Sequence, residues 1–315
     1  MSAERGSFPG ESTGEAGPAV DAGHRAGFVA LAGLPNAGKS SLLNAILGRK
    51  FSIATPKPQT TRNRILAIEN RPGVQFLFLD TPGVHRGRNL LGERMARAAG
   101  DAIADADVVA WVLDASHAEF DAEAALAARL VDSGRPVVVA LNKIDRVERA
   151  TLLARAQRVA DLLPGRHAVP VSARTGENLP ELLETLRLAL PESPPLYPDD
   201  AWTDLPERFF VAELVREQVL LATHEEVPYG SAVSIDSFEE REGRDLVAIE
   251  ATILVSRDSH RGIVIGRGGQ RLKEIGRRAR LEIERFLGTR AWLGLRVKVD
   301  ADWSASGSRL SELGL

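Results

Sequence analysis

Eight residues near the start of the chain have the types and spacing to hold a polyphosphate: Gly33-Leu34-Pro35-Asn36-Ala37-Gly38-Lys39-Ser40. They fit G-x-x-x-x-G-K-[ST]. Gly33 and Gly38 permit backbone angles that a side chain would forbid. The loop's N–H groups can then converge on the β-phosphate. Lys39 would reach the β- and γ-phosphates, and the Ser40 hydroxyl would ligate Mg²⁺. Taken alone, the pattern also suits a plain glycine turn. Its surroundings argue otherwise. The apolar run Phe28 to Ala32 reads as a buried strand before it, and a helical pattern from Ser41 to Leu47 stops at Gly48. Strand, glycine loop and helix make a phosphate cradle.

Three further groups complete such a site. The apolar run Val74 to Leu79 ends in Asp80-Thr81-Pro82-Gly83. A carboxylate at that strand end can hold Mg²⁺, and the Gly83 amide can meet the γ-phosphate. Without the phosphate loop the tetrapeptide would be an ordinary turn. After the strand Val137 to Leu141 comes Asn142-Lys143-Ile144-Asp145. The Asp145 carboxylate can accept from guanine N1–H and the exocyclic amine. Adenine lacks that donor pair, so GTP is selected over ATP and a P-loop kinase or ATPase is disfavoured. Lys143 can lay its stem along the base plane, while Asn142 braces the phosphate loop. Ser172-Ala173-Arg174 follows the short strand Ala168 to Val171, and the Ala173 amide can contact guanine O6. Between the phosphate loop and Asp80 lies Thr55-Pro56-Lys57-Pro58-Gln59-Thr60-Thr61-Arg62. Its prolines and polar residues make a loop, placed where a switch segment would bring a threonine hydroxyl to Mg²⁺. Thr61 is the first choice and Thr60 the second.

These motifs resemble those of the Era family of bacterial ribosome-assembly GTPases, in the stretches GLPNAGKSSLLN, KPQTTRNRI, DTPGVH, NKID and SAR. The catalytic set under this resemblance is Lys39, Thr61, Asp80 and Gly83. Many GTPases of this class carry a glutamine after Asp-x-x-Gly to orient the attacking water. Val84 stands there instead, and the family implies such a hydrophobic replacement. That departure keeps open an RNA-binding nucleotide switch without hydrolysis. Asn36 looks like the asparagine that ligates K⁺ in several relatives; its other reading is a residue that only shapes the loop. A K⁺ there would offset charge developing between the β- and γ-phosphates.

The elements that must position these groups follow from the pattern. From Phe28 to Leu190 apolar strands alternate with amphipathic helices, which predicts a mainly parallel sheet with helices on both faces. Ligands then sit at the carboxyl ends of the strands. Residues 1–26, rich in Gly, Ser, Ala, Glu and Pro, read as a disordered tail. The P-loop GTPase domain spans 27–190, a proline-rich, semi-rigid linker 191–205, a second domain 206–303, and a tail 304–315.

In the second domain the predicted order is helix, strand, strand, helix, helix, strand. Its two central helices are joined by Gly266-Arg267-Gly268-Gly269. A Gly-x-x-Gly between helices resembles the RNA-backbone clamp of a KH domain, here in the type II, α+β arrangement. Two glycines let phosphates approach the main chain, and the next helix adds its N-terminal dipole. Between Arg257 and Lys298 there are twelve Lys and Arg against four Asp and Glu, in a chain of net charge −3. Such local basic excess is an electrostatic footprint for nucleic acid. Arg267, Arg271 and Lys273 are the candidate contacts, with Gly266, Gly268 and Gly269. Glu226 to Tyr229 also resembles the Era family.

The resemblance implies the 3′ end of 16S ribosomal RNA as ligand, with 30S subunit assembly and rRNA processing as the role. A tRNA-modification GTPase or a double-G-domain ribosome GTPase is the alternative, but neither the second phosphate loop nor the C-terminal cysteine motif that would support those is present. With no cysteine in 315 residues, thiolate chemistry is excluded. No apolar run suits a membrane span or signal peptide, so a cytoplasmic location is expected, with peripheral contact to the inner face of the cell membrane left open. A monomer is also expected. His85, His167 and His260 lack metal spacing. Trp292 and Trp303 are expected in the core.

Overall fold

A computed structural model describes residues 23–83, 89–224, 227–240 and 245–315. Val84, His85 and Glu226 lie outside them, as does most of the predicted N-terminal tail. The first unit alternates strands and helices. It runs β1 (Arg25–Ala32), α1 (Lys39–Leu47), β2 (Ile65–Arg71), β3 (Val74–Asp80), α2 (Leu90–Asp105) and β4 (Val108–Asp114). It continues with α3 (Phe120–Asp132), β5 (Val137–Asn142), α4 (Arg149–Leu162), β6 (Ala168–Pro170) and α5 (Leu179–Ala189). The sheet order is β2-β3-β1-β4-β5-β6, with every neighbouring pair parallel except β2 and β3. All seven residues of β3 and all six of β5 are buried. That is the near-continuous apolar run of a strand covered on both faces. β2 was not singled out by its sequence; it is an edge strand whose last three residues leave the core.

The second unit comprises α6 (Glu207–Ala222), β7 (Ser231–Glu240), β8 (Leu246–Val255), α7 (Asp258–Ile265), α8 (Gln270–Leu287) and β9 (Arg290–Val299). Its sheet order is β7-β8-β9, antiparallel then parallel. This is the predicted α+β order. Ile275, Ala279 and Ile283, four residues apart, form the buried stripe of α8.

Three expectations need correction. Arg25 and Ala26 belong to β1 rather than to a tail: the Arg25 guanidinium reaches the Leu190 carbonyl, and His24 bonds the Ser193 carbonyl at 2.8 Å. The 304–315 segment is not a free tail either. It forms α9 (Gly307–Glu312), and Leu310 is fully buried against Trp303 and against Leu91 and Met95 of α2. Trp292 is about half exposed at 51 %, whereas Trp303 is at 0 %. The strand period explains Trp292: Ala291 is buried, so its neighbour faces out from an edge strand.

The proline-rich linker is docked along the first unit. The buried Gln75 side chain accepts from the Leu196 and Tyr197 amides (2.7 and 2.9 Å) and donates to the Tyr197 carbonyl (2.8 Å). The Ile68 amide donates to the Trp202 carbonyl at 3.0 Å, and Thr203 Oγ1 to the Leu66 carbonyl at 2.7 Å. The linker thereby covers the open edge of β2, which would otherwise present unpaired backbone groups. Trp202 joins Phe51, Phe210 and Phe286 in an aromatic cluster with centroids 5.1–5.9 Å apart, shared by both units and the linker.

Candidate nucleotide site and RNA-facing surface

Every nucleotide motif falls at the carboxyl ends of β1, β3, β5 and β6. Gly33 lies against the Val112 carbonyl, where a Cβ would come within 2.4 Å. Gly38, at φ +94°, faces Asn142 Nδ2, also 2.4 Å from a built Cβ. Close backbone approach therefore demands glycine at both positions. Asn142 braces the loop as expected: Nδ2 donates to the Ala37 carbonyl at 3.1 Å, and Oδ1 accepts from the Ala173 amide at 3.1 Å. One side chain thus ties the phosphate loop to the Ser172–Arg174 turn. Gly83 packs on Pro35, 2.7 Å from its nitrogen if a Cβ were added. The cavity here is walled by Pro35, Asn36, Lys39, Ser40, Thr61 and Gly83, among others. Leu34 reaches the neighbouring core, and the Thr81 hydroxyl donates to the Leu31 carbonyl at 2.8 Å, holding the turn at Pro82 in place.

Ser40, Thr61 and Asp80 meet, although they lie far apart in the chain. Ser40 Oγ donates to Asp80 Oδ2 at 2.7 Å and sits 2.8 Å from Thr61 Oγ1. Asp80 Oδ1 is buried without a hydrogen bond. Burial pushes the Asp80 carboxyl up, opposed by the Ser40 hydroxyl and the Lys39 charge. A carboxylate and two hydroxyls with an unsatisfied buried oxygen suit a hard, oxygen-seeking cation such as Mg²⁺. The Thr60 hydroxyl is turned away, bonding Thr55 Oγ1 at 2.6 Å and the Lys57 carbonyl at 2.7 Å, which favours Thr61 of the two candidates.

Lys39 is 6 % exposed, its ammonium on the Gly33 and Leu34 carbonyls at 3.1 and 3.2 Å. Burial lowers its pKa to about 8, with Asp80 pulling it back up. A bound polyphosphate needs the charged amine and raises its pKa. Nucleotide affinity should therefore be flat below about pH 8 and fall above it, by up to roughly tenfold per pH unit, with proton uptake on binding. The folding contribution runs the opposite way with pH. The folded pKa lies below the unfolded one, so this residue's burden on stability is greatest below pH 8 and is relieved toward 10.5. Calorimetry in buffers of different ionisation enthalpy reads the proton directly. Binding at pH 8.5 without proton uptake contradicts the assignment.

At the base end, Asp145 Oδ1 accepts from Ser172 Oγ at 2.6 Å and Oδ2 from Arg174 Nε at 2.7 Å. The Ser172 hydroxyl, then Arg174, holds this carboxyl below its usual range. Lys143, at φ +67°, bonds the Asn36 carbonyl at 2.7 Å and Asp114 Oδ2 at 2.5 Å. Asp114, which anchors Lys143, was missed in the sequence. Its signal was the same as that of Asp80: an acid closing a buried strand.

In the second unit the Gly-x-x-Gly forms a tight turn between α7 and α8. Gly266 (φ +72°, ψ 176°), Gly268 (φ +57°) and Gly269 (φ +75°) all have positive φ. A Cβ on Gly266 would sit 2.7 Å from Arg271 Cβ, so only glycine fits. Arg267, Arg271 and Lys273 are exposed, and Arg267 and Arg271 line a groove with Gln218, Ile275 and Arg278. Glu274 is spent within α8, held down to about 2 by hydrogen bonds from Arg277 and Arg278. His260 is buried, and its ring lies against Gly230 rather than on this surface.

Comparison with known proteins agrees with both units. The 50S ribosome-binding GTPase family matches residues 28–143, and the KH domain family matches 226–304. GTPase Era of Geobacter metallireducens is 47% identical over 290 residues, 92% of this chain and 97% of that one. The chain belongs to the Era GTPase family. GTPase Era of Heliobacterium modesticaldum is 42% identical, over 92% and 97% of the two chains. An Aquifex aeolicus Era variant bound to GDP.AlF4- superposes with a TM-score of 0.87 at 39% identity, covering 92% of this chain and 99% of that one. An Era in complex with MgGDPNP and nucleotides 1506–1542 of 16S ribosomal RNA gives 0.88 at 39% identity and the same coverage. This Era-family chain is thus a GTPase with a P-loop domain and a KH domain. GTPase chemistry replaces the alternative of a switch without hydrolysis.

Proposed function

We propose that this Era-family GTPase binds the 3′ region of 16S ribosomal RNA through its KH domain and acts as a monomer in 30S assembly and rRNA processing in the cytoplasm. The observation that carries the enzymatic half is the convergence of Ser40, Thr61 and Asp80 beside Lys39. When bound, Mg²⁺ supplies charge neutralisation on the β- and γ-phosphate oxygens. Ser40, Thr61 and Asp80 would hold it. The loop amides and Lys39 would bind the phosphates, Asp145 would fix the base, and the Gly83 amide would meet the γ-phosphate. With positioning and electrostatics preset, little covalent work falls to the protein in phosphoryl transfer. The RNA half is supported by the exposed basic face around Arg267 and by the relative that holds 16S nucleotides. Phosphate release in a single turnover, with and without a 16S 3′ fragment, tests the whole reading. RNA should accelerate it, and an RNA that neither binds nor accelerates overturns the ribosomal role. No described helix is long and apolar enough to cross a membrane, and peripheral contact through the basic face would be electrostatic.

Asn36 sits in the wall of the phosphate cavity at φ +61°. Our reading gives its side chain to a K⁺ ion beside the phosphates. Exchanging K⁺ for Na⁺ should slow the native protein and leave Asn36→Ala nearly indifferent. An equal response of both proteins to the exchange removes K⁺ from the mechanism.

A further inference from the structure

The loop that brings Thr61 to the cation site is held from outside its own domain. Lys57 donates to the Leu220 and Thr223 carbonyls at the C-terminal end of α6, where a cation is favoured. The Ala54 amide donates to Glu217 Oε1 at 3.2 Å. Arg62, 4 % exposed, reaches the Ser231 and Pro228 carbonyls at 2.7 and 3.1 Å. The contact nearest the cation site is made by Arg216 of α6, 3 % exposed, whose Nη2 donates to the Thr60 carbonyl. Glu213 fixes that guanidinium from one turn earlier, at 2.7 Å to Nε and 2.6 Å to Nη2. The geometry is a bidentate fork, which sets direction as well as strength.

We propose that Arg216 is a positioning residue for GTP hydrolysis: by holding the Thr60 carbonyl it aims the next residue's hydroxyl, Thr61 Oγ1, at Ser40 and Asp80. The KH domain then completes the cation site of the GTPase domain. Arg62 and Arg216 are both buried at this boundary. Arg216 Nη1 is itself buried without a hydrogen bond. Arg216 therefore links α6 to the loop, and a shift of α6 would release it. Anything that moves α6, such as a ligand drawn to the groove that Gln218 shares with Arg267, would be felt at Thr61.

This inference rests on Thr61 as a Mg²⁺ ligand, and the test separates the two. Arg216→Met, Thr61→Ala and the double variant are compared in single-turnover GTP hydrolysis across a Mg²⁺ series. Loss of a group that orients a metal ligand typically costs about 10- to 100-fold in metal affinity or activity. Arg216→Met should show that shift in Mg²⁺ dependence, while affinities for GDP and for a 16S 3′ fragment stay at native values. The double variant should be no worse than Thr61→Ala, because the two residues act in series. Glu213→Gln, which loosens the fork without emptying the site, should give a smaller shift in the same direction. Multiplicative losses in the double variant, or native Mg²⁺ dependence in Arg216→Met, overturn the proposal. Native Mg²⁺ dependence in Thr61→Ala overturns the metal role of Thr61 and the proposal with it.

Discussion

Asp145→Asn should convert this protein from a binder of GTP into a binder of xanthosine triphosphate. The carboxylate already shows its preference for planar N–H donors: Arg174 Nε occupies Oδ2 at 2.7 Å, and the Ser172 hydroxyl fixes Oδ1 at 2.6 Å. Guanine N1–H and its amine would take over the face that Arg174 holds, on a side chain only 7% exposed. An asparagine keeps one acceptor and adds a donor. It then faces the guanine amine with an N–H, and two donors repel. Losing a charged acceptor pair costs roughly 2–4 kcal/mol, about 30- to 1000-fold in affinity. Xanthine carries a carbonyl where guanine has its amine, so it accepts from the new N–H. Competition between the two nucleotides for a fluorescent analogue measures the exchange. Equal GTP affinity in the variant removes Asp145 from the base site. Lys39, Ser40 and Asp80 are untouched, so turnover of the bound xanthosine nucleotide should persist.

Replacing both Arg267 and Gly268 with aspartate should abolish tight RNA binding and spare GTP. The structure makes this a clean test. Gly268, at φ +57° and ψ 24°, is in the left-handed region that aspartate tolerates better than most residues. A Cβ there meets nothing within 4 Å, so it points into open solvent. Two carboxylates just ahead of α8 also suit its N-terminal dipole, which protects the fold. What they repel is a phosphate backbone crossing the turn. Losing the Arg267 contact alone costs roughly 10- to 100-fold, and charge reversal adds to it. Residual binding should have a salt slope shallower by about one unit. Stimulation of hydrolysis by RNA should vanish with the binding. Filter binding over a salt series, paired with GTP hydrolysis on the same preparation, measures both. Unaltered RNA affinity in the folded double variant sinks the RNA-binding assignment of this turn.

The amino-acid sequence by itself determined the chemistry whose carriers are contiguous. The phosphate loop from Gly33 to Ser40, the Asp80–Gly83 turn, Asn142–Asp145 and the Gly266–Gly269 turn would each act through neighbouring backbone and one or two side chains, so their spacing is their geometry. The central strands were legible for a related reason: β3 and β5 are buried on both faces and read as unbroken apolar runs. Tertiary structure decided what depends on distant partners. Arg25 and Ala26 look like the end of a polar tail until pairing with β3 makes them strand, Arg25 opposite Val74. Leu310 is one apolar residue in a short polar helix until α2 and Trp303 bury it. Trp292 has a core residue's composition and a surface residue's register. The proline-rich linker lies down because β2 leaves an edge to be covered and Gln75 supplies the bonds to hold it. The choice of Thr61 over Thr60 turns on which hydroxyl faces Ser40, and that orientation is held from α6, some 150 residues away in the chain. Adjacent threonines are alike to any local rule; only the folded loop, which turns Thr60 onto Thr55 and Lys57 and Thr61 onto Ser40, tells them apart.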